Sequence, residues 1–265
     1  ETNRTFLLAL ERPGDPVVEV PARRLLPLMR ILNELTTLQP GGKGRGMAAE
    51  KWRLDRLRAA QMTDIDGLAI KAPESLARLR ERLAQFEGVR EVELPAELRA
   101  ELRGYQRDGV SWLQFLREFD LHGVLADDMG LGKTLQTIAH LLIEKTAGRD
   151  DRPSLVVATT SVVRNWAREI KRFAPGLKVL VLTGTERHRQ FRNVCKHDVV
   201  LTTYPLLARD FETLRRIPWH VLALDEAQNI KNPKSQAAQA ARELEARHRL
   251  CLTGTPMENH LGELW

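Results

Sequence analysis

The rhythm of apolar positions along this chain changes near residue 100. Before that point the apolar residues recur at helical spacing. In PARRLLPLMRILNELTTL, Leu25, Leu28, Met29, Leu32 and Leu35 would line one helix face. AAEKWRLDRLRAAQM and PESLARLRERLAQF predict two more amphipathic helices, and Pro73 suits the start of the second. QPGGKGRG, from Gln39 to Gly46, is a loop by its glycines. The opening TFLLALE and PVVEVPA predict short strands. Residues 1–98 thus form an accessory, mostly helical region.

From residue 99 to 265 short β-rich runs alternate with helical segments. The predicted strands are Gly123–Ala126, Leu155–Ala158, Val179–Leu182, Val199–Thr202, Val221–Leu224 and Leu250–Leu252. Helices are predicted to begin near Tyr105, Gly132, Val162, Glu186, Leu206 and Ser235. Such alternation predicts an α/β fold, a parallel sheet with helices on both faces. Ligands of these sheets sit at the carboxyl ends of the strands.

Composition narrows this picture only a little. The chain has 265 residues, 43% of them hydrophobic, enough for a real core. Its formal charge of +6 permits a polyanionic partner without demanding one. The arginines of the accessory region suit a solvated helix face as well as a nucleic acid. Cys195 and Cys251 are the two cysteines, too few for a disulfide framework or a four-thiolate zinc site. That usage suits a reduced, intracellular protein. No apolar run approaches the roughly 20 residues that cross a bilayer, so no membrane partner is expected. The chain opens on Glu1 and stops at Trp265, directly after a motif, and reads as a piece of something longer.

Chemistry concentrates in GVLADDMGLGKTLQTIAHLL, from Gly123 to Leu142. A predicted strand runs into a loop and then into a helix opening with Gly-Lys-Thr. Amide hydrogens of such a loop hold phosphate oxygens, and the helix N-terminus adds a favourable dipole. The common phosphate-loop pattern asks for glycine where Asp127 stands. Helicase-type ATPases use A-x-x-x-G-x-G-K-T instead, and Ala126, Gly130, Gly132, Lys133 and Thr134 fit it. Asp128 and Met129 complete the predicted cradle. Lys133 would reach the β- and γ-phosphates, and the Thr134 hydroxyl would ligate Mg²⁺. HVLALDEAQNIKN supplies the acidic partner: an apolar strand delivering Asp225, to hold Mg²⁺, and Glu226, to orient and deprotonate the attacking water. Upstream, Gln106 in LRGYQRDGVSWLQFL can pair with the donor and acceptor of an adenine edge, which suggests ATP. Trp112, Trp166 and Cys251 are expected in the core. His122, His140 and His188 show no metal spacing and receive no role.

The ordered set LRGYQRDGVSWL, LADDMGLGKTLQTI, LVVATTSVVRNWAREIKRF, VVLTTYPLL, LALDEAQNIKN and LTGTPMENHLGELW resembles the first RecA-like lobe of the Swi/Snf-related ATPases. These are double-stranded DNA translocases of helicase superfamily two. The resemblance covers about residues 100–265. It implies that Thr160, Ser161 and Asn165 contact the DNA backbone, with Thr159 where the family usually has proline. It implies the same for Thr202, Thr203 and Tyr204. Thr253, Gly254, Thr255 and Pro256 match the element linking ATP state to lobe movement, and Gln228 a position that senses nucleotide. Trp265 ends an ELW helix. The arginine-rich accessory region is similar, more weakly, to what precedes the motor in bacterial members.

These implications add up to the ATP-binding lobe of a DNA-dependent ATPase that moves along duplex DNA and remodels nucleoprotein complexes. Its partners would be duplex DNA, met through phosphates that carry no sequence information, and a second RecA-like lobe. Because that lobe supplies the arginine fingers, the segment alone is expected to be nearly inactive. The expected location is the cytoplasm, with the nucleoid of a bacterium, or the nucleus of a eukaryote. Two alternatives stay open: an RNA helicase of the same superfamily, against which DEAQ and TGTP argue, and a non-enzymatic module whose accessory helices dock a protein partner.

Overall fold

The computed structural model describes residues 88–255 throughout, together with strands β1 (Thr5–Leu8) and β2 (Val18–Pro21) and with Glu81, Arg82 and Phe86. The first two predicted helices, the loop at Gln39–Gly46 and the segment Pro256–Trp265 lie outside the described residues. Of the third predicted helix, Glu81, Arg82 and Phe86 are described; the first two are helical and Phe86 is not. Residues 1–87 and 88–265 form two compact units. In the first, β1 and β2 pair antiparallel, Thr5 opposite Pro21 and Leu8 opposite Val18.

The second unit carries a six-stranded sheet in the order β3-β8-β7-β4-β6-β5. Its strands are β3 (Gly123–Leu125), β4 (Ser154–Ala158), β5 (Val179–Val181), β6 (Val199–Thr203), β7 (Trp219–Asp225) and β8 (Ala246–Leu252). All of its pairings are parallel. Every residue of β4, β6 and β7 is buried, as expected of strands covered on both faces. The helices are α1 (Gly104–Glu118), α2 (Lys133–Thr146), α3 (Thr160–Phe173), α4 (Tyr204–Arg209), α5 (Phe211–Leu214) and α6 (Gln236–Glu243). The predicted helix at Glu186 is a run of 3-10 turns, Glu186–Lys196. In α3 the buried residues Val163, Trp166 and Ile170 follow the helical period, while Arg164, Arg168 and Lys171 face outward.

Residues 92–102 belong to this unit by their packing. Leu102 is buried with Val110, Ala139 and Ile143, and Val92, Leu94 and Leu98 cover them. The Val92 amide donates to Ser111 Oγ at 3.2 Å, and the Arg99 amide to the Phe173 carbonyl at 2.7 Å.

Strands β7 and β8 are longer than predicted, beginning at Trp219 and Ala246. The charged run Ala246–Arg249 hid the start of β8. Its polar groups are satisfied by neighbours: Arg247 pairs with Asp151 at 3.1 Å, and Arg249 donates to the Ala241 carbonyl at 2.7 Å. His248 lies inside.

His248 belongs to a buried polar cluster that spacing had not disclosed. His220 Nε2 donates to Glu144 Oε2 at 3.0 Å, and Arg149 Nη2 donates to Glu144 Oε1 at 2.6 Å. Gln114 Nε2 donates to His140 Nδ1 at 2.9 Å. Burial opposes charge on Glu144, but the bonds from His220 and Arg149 outweigh it and hold its carboxyl well below the usual range. Burial pushes His140 down to about 3 and His248 down to about 4. Both imidazoles therefore stay neutral in the folded chain at pH values where their unfolded counterparts take a proton. The contribution of these two imidazoles to stability is complete above pH ~6.5, the ordinary histidine value, and is lost as the pH drops toward 4. The expected slope is roughly 1.4 kcal/mol per pH unit for each of the two groups. Urea unfolding at pH 7, 6 and 5 measures it; a midpoint that stays constant across this range contradicts the assignment.

Candidate nucleotide site

The loop from Ala126 to Gly132 joins β3 to α2 at the carboxyl end of the sheet. Gly130 and Gly132 have φ of 84° and 85°, left-handed conformations that glycine adopts without a Cβ clash. At Gly132 a Cβ would also stand 2.5 Å from Gln106 Nε2. Gln106 donates from that nitrogen to the Leu131 carbonyl at 3.0 Å, while its Oε1 accepts the Arg103 amide at 3.0 Å. Both ends of the carboxamide are thus engaged with the chain. In this structure Gln106 braces the phosphate loop, because α1 brings it against the loop's backbone, and each end of the carboxamide retains one further hydrogen-bonding position for the predicted adenine contact.

Lys133 opens α2, and its ammonium donates to the carbonyls of Asp127 and Asp128 at 2.6 and 3.0 Å. Gln136, one turn on, fixes Asp127 by a 2.9 Å bond to Oδ2. Asp128, Met129 and Gly130 are exposed, and Thr134 is half-buried at the second position of the helix.

The acidic pair arrives from β7. Asp225 is buried at the strand's end. Trp166 Nε1 donates to its Oδ2 at 2.7 Å, and the Glu226 amide to its Oδ1 at 3.0 Å. Burial, assisted by the charge of Glu226, raises the Asp225 carboxyl above the ordinary range; the indole bond and the charge of Lys133 act against this rise. Asp225 and Lys133 therefore act on each other electrostatically. Glu226 takes a left-handed conformation with φ 52° and ψ 54°, a turn that costs on the order of 1 kcal/mol for a residue with a Cβ.

Strand β8 lies between β3 and β7, so Thr253 beyond its end sits between both loops. Its amide donates to the Leu125 carbonyl at 3.2 Å. Its hydroxyl donates to Gln228 Oε1 at 2.8 Å and accepts the Thr255 amide at 3.0 Å. Gln228 Nε2 in turn donates to Glu226 Oε2 at 2.6 Å. A chain of hydrogen bonds thus runs from Thr253 through Gln228 to the carboxylate of Glu226. Gly254 abuts the phosphate loop: a Cβ there would lie 2.9 Å from Met129 Cγ and 3.3 Å from the Met129 nitrogen.

The donors at this end suit Mg²⁺, which prefers hard oxygen ligands and commonly shares them with phosphates. Asp225 and Thr134 offer a carboxylate and a hydroxyl, and a cation beside the buried Asp225 would relieve the desolvation that disfavours its charged form. Among the described residues no group of three or more His, Cys, Asp or Glu side chains forms a metal site.

Residues 105–265 match the SNF2-related domain. The chain belongs to the SNF2-related family. It is 42% identical over 205 residues to YwqA of Bacillus subtilis (strain 168), covering 75% of this chain and 22% of that protein. It is 40% identical over 222 residues to the TATA-binding protein-associated factor mot1 of Aspergillus fumigatus, covering 78% of this chain and 12% of that protein. The Sulfolobus solfataricus SWI2/SNF2 ATPase core in complex with dsDNA superposes with a TM-score of 0.62 at 42% identity, over 66% of this chain and 36% of that one. The chain thus spans a small part of its relatives, and its sheet is the RecA-like parallel architecture expected from the motif order.

Within this SNF2-related lobe the DNA-facing candidates divide. Thr160 and Ser161 are exposed in the first turn of α3. Asn165 is half-buried and tied to Glu169 Oε1 at 2.6 Å and to Arg168 Nη2 at 3.1 Å. Thr202, Thr203 and Tyr204 depart from expectation, because all three side chains are buried. Thr202 donates to the Leu182 carbonyl at 3.3 Å, and Tyr204 to the Asp225 carbonyl at 2.7 Å. The Thr202 and Tyr204 hydroxyls thus join elements of the fold, and Thr203 is buried beside them. Trp166 is buried as expected, yet it also touches the acidic pair. No spacing rule could show that link, since 59 residues separate the partners. Trp112 is only partly buried, and Cys251 packs against the main core cluster.

Proposed function

We propose that this chain is the ATP-binding lobe of a DNA-dependent ATPase, and that the whole protein moves along duplex DNA to remodel nucleoprotein complexes. One observation carries the reading: the loop after β3, the acidic pair after β7 and Thr253 after β8 converge at one end of the sheet. A triphosphate would take the Lys133 ammonium from the carbonyls of Asp127 and Asp128, and the loop amides would receive its oxygens. Thr134 and Asp225 would hold Mg²⁺, which when bound offsets negative charge on the phosphate oxygens. Glu226 accepts a proton from the attacking water as its oxygen bonds to the γ-phosphorus and the bond to the β–γ bridging oxygen breaks. Gln228 and Thr253 hold that carboxylate and tie it to β8.

Closure against a second RecA-like lobe brings the arginines that such transfers need. The similarity to a SWI2/SNF2 core in complex with dsDNA supports a duplex partner, gripped in part at Thr160 and Ser161. The same reading places the protein with the DNA, in a bacterial nucleoid or a eukaryotic nucleus. The test is ATP turnover of the full-length protein with duplex DNA, single-stranded DNA and RNA across a salt series. Duplex DNA should stimulate most, and less as salt rises. Equal stimulation by RNA would move the assignment to an RNA-dependent enzyme.

A further inference from the structure

Asp225 is held at both its carboxylate and its backbone by residues of two other elements. Trp166, fully buried, donates its indole N–H to Asp225 Oδ2 at 2.7 Å. Tyr204 donates its hydroxyl to the Asp225 carbonyl oxygen at 2.7 Å. Trp166 lies on α3, the helix that follows β4, and Tyr204 opens α4, directly after β6. Strand β4 lies between β7 and β6, so α3 starts beside the end of β7 and α4 starts one strand farther, from where the Tyr204 side chain reaches Asp225. The exposed Thr160 and Ser161 occupy the first turn of the same α3 that carries Trp166. An α-helix moves as a stiff unit, so a shift at its first turn displaces the indole less than two turns away. An N–H donated to a carboxylate oxygen is directional and among the stronger hydrogen bonds. It fixes which lone pairs of Asp225 remain for another ligand.

We propose that Trp166 and Tyr204 are positioning residues that set the aim of Asp225 and carry engagement of a strand at the start of α3 to the metal-nucleotide side of the sheet. The inference rests on the ATPase reading above. Trp166 is the dominant contact because it touches the carboxylate itself; Tyr204 steadies the backbone that presents it.

The test uses the full-length protein and the variants Trp166→Phe and Tyr204→Phe, each keeping a ring and losing the donor. Electron paramagnetic resonance measures binding of Mn²⁺ in the presence of ADP, a readout independent of turnover. Trp166→Phe should weaken Mn²⁺ binding roughly tenfold and Tyr204→Phe roughly threefold. Steady-state kinetics should show kcat with duplex DNA falling more than basal kcat, so that the stimulation ratio drops, while KM for magnesium-ATP rises by no more than the factor lost in Mn²⁺ binding. A merely structural role would lower both rates together. If Trp166→Phe does not fold, benzothienylalanine at position 166 keeps the ring volume and still removes the N–H. Wild-type Mn²⁺ binding together with a wild-type stimulation ratio in these proteins would overturn the inference. Glu226→Gln, run alongside, separates the two failures: if it turns over ATP normally, the ATPase reading itself is wrong.

Discussion

Lys133→Ala in the full-length protein is expected to lose nucleotide affinity by roughly 30- to 150-fold, the equivalent of about 2–3 kcal/mol for hydrogen bonds to a charged group. The ammonium is the cation of the loop, and it donates to the loop's own carbonyls at 2.6 and 3.0 Å. A triphosphate offers those donors stronger, charged acceptors. Without the ammonium the phosphates keep only the amides and the helix dipole. The fold should tolerate the change, because the bond to the Asp128 carbonyl is exposed and water can replace it. Equilibrium binding of a fluorescent ATP analogue, with thermal unfolding beside it, checks both halves. Unchanged affinity would mean that the loop does not hold phosphate.

Glu226→Gln should do the reverse, keeping affinity and losing turnover by roughly 10²- to 10⁴-fold, as removal of a general base does. The substitution is nearly isosteric, and its carbonyl oxygen can still accept the proton that Gln228 Nε2 now gives to Glu226 at 2.6 Å. The link through Gln228 to Thr253 therefore survives. A carboxamide cannot accept the proton of the attacking water. Its left-handed backbone is no more strained than that of glutamate, since both carry a Cβ. Single-turnover hydrolysis, measured after binding is shown to be intact, isolates the chemical step. Comparable rates in the two proteins would remove Glu226 from the mechanism.

Much of the site is legible in the sequence because its parts are local. Gly130, Gly132, Lys133 and Thr134 need only a strand, a loop and a helix in succession, which hydrophobic period and glycines disclose. Asp225 and Glu226 are legible because they end an apolar run that is buried along its whole length. The start of β8 was not legible: Arg247, His248 and Arg249 look solvated until Asp151 and a carbonyl in the last turn of α6 satisfy the two arginines. Thr202, Thr203 and Tyr204 sit at a strand end, where sequence offers no way to distinguish an outward threonine from a buried one.

By itself the sequence determined that this chain forms a parallel α/β sheet with a phosphate loop and an acidic pair at its carboxyl edge. Those features follow from short-range periodicity and from which residues tolerate a left-handed turn. Only the tertiary structure decided what each side chain meets: Gln106 the loop's backbone, Trp166 the carboxylate of Asp225, His140 the Gln114 amide. Strand order brought these partners together. A hydrogen bond requires two groups within about 3 Å, and separation along the chain places no such limit on them.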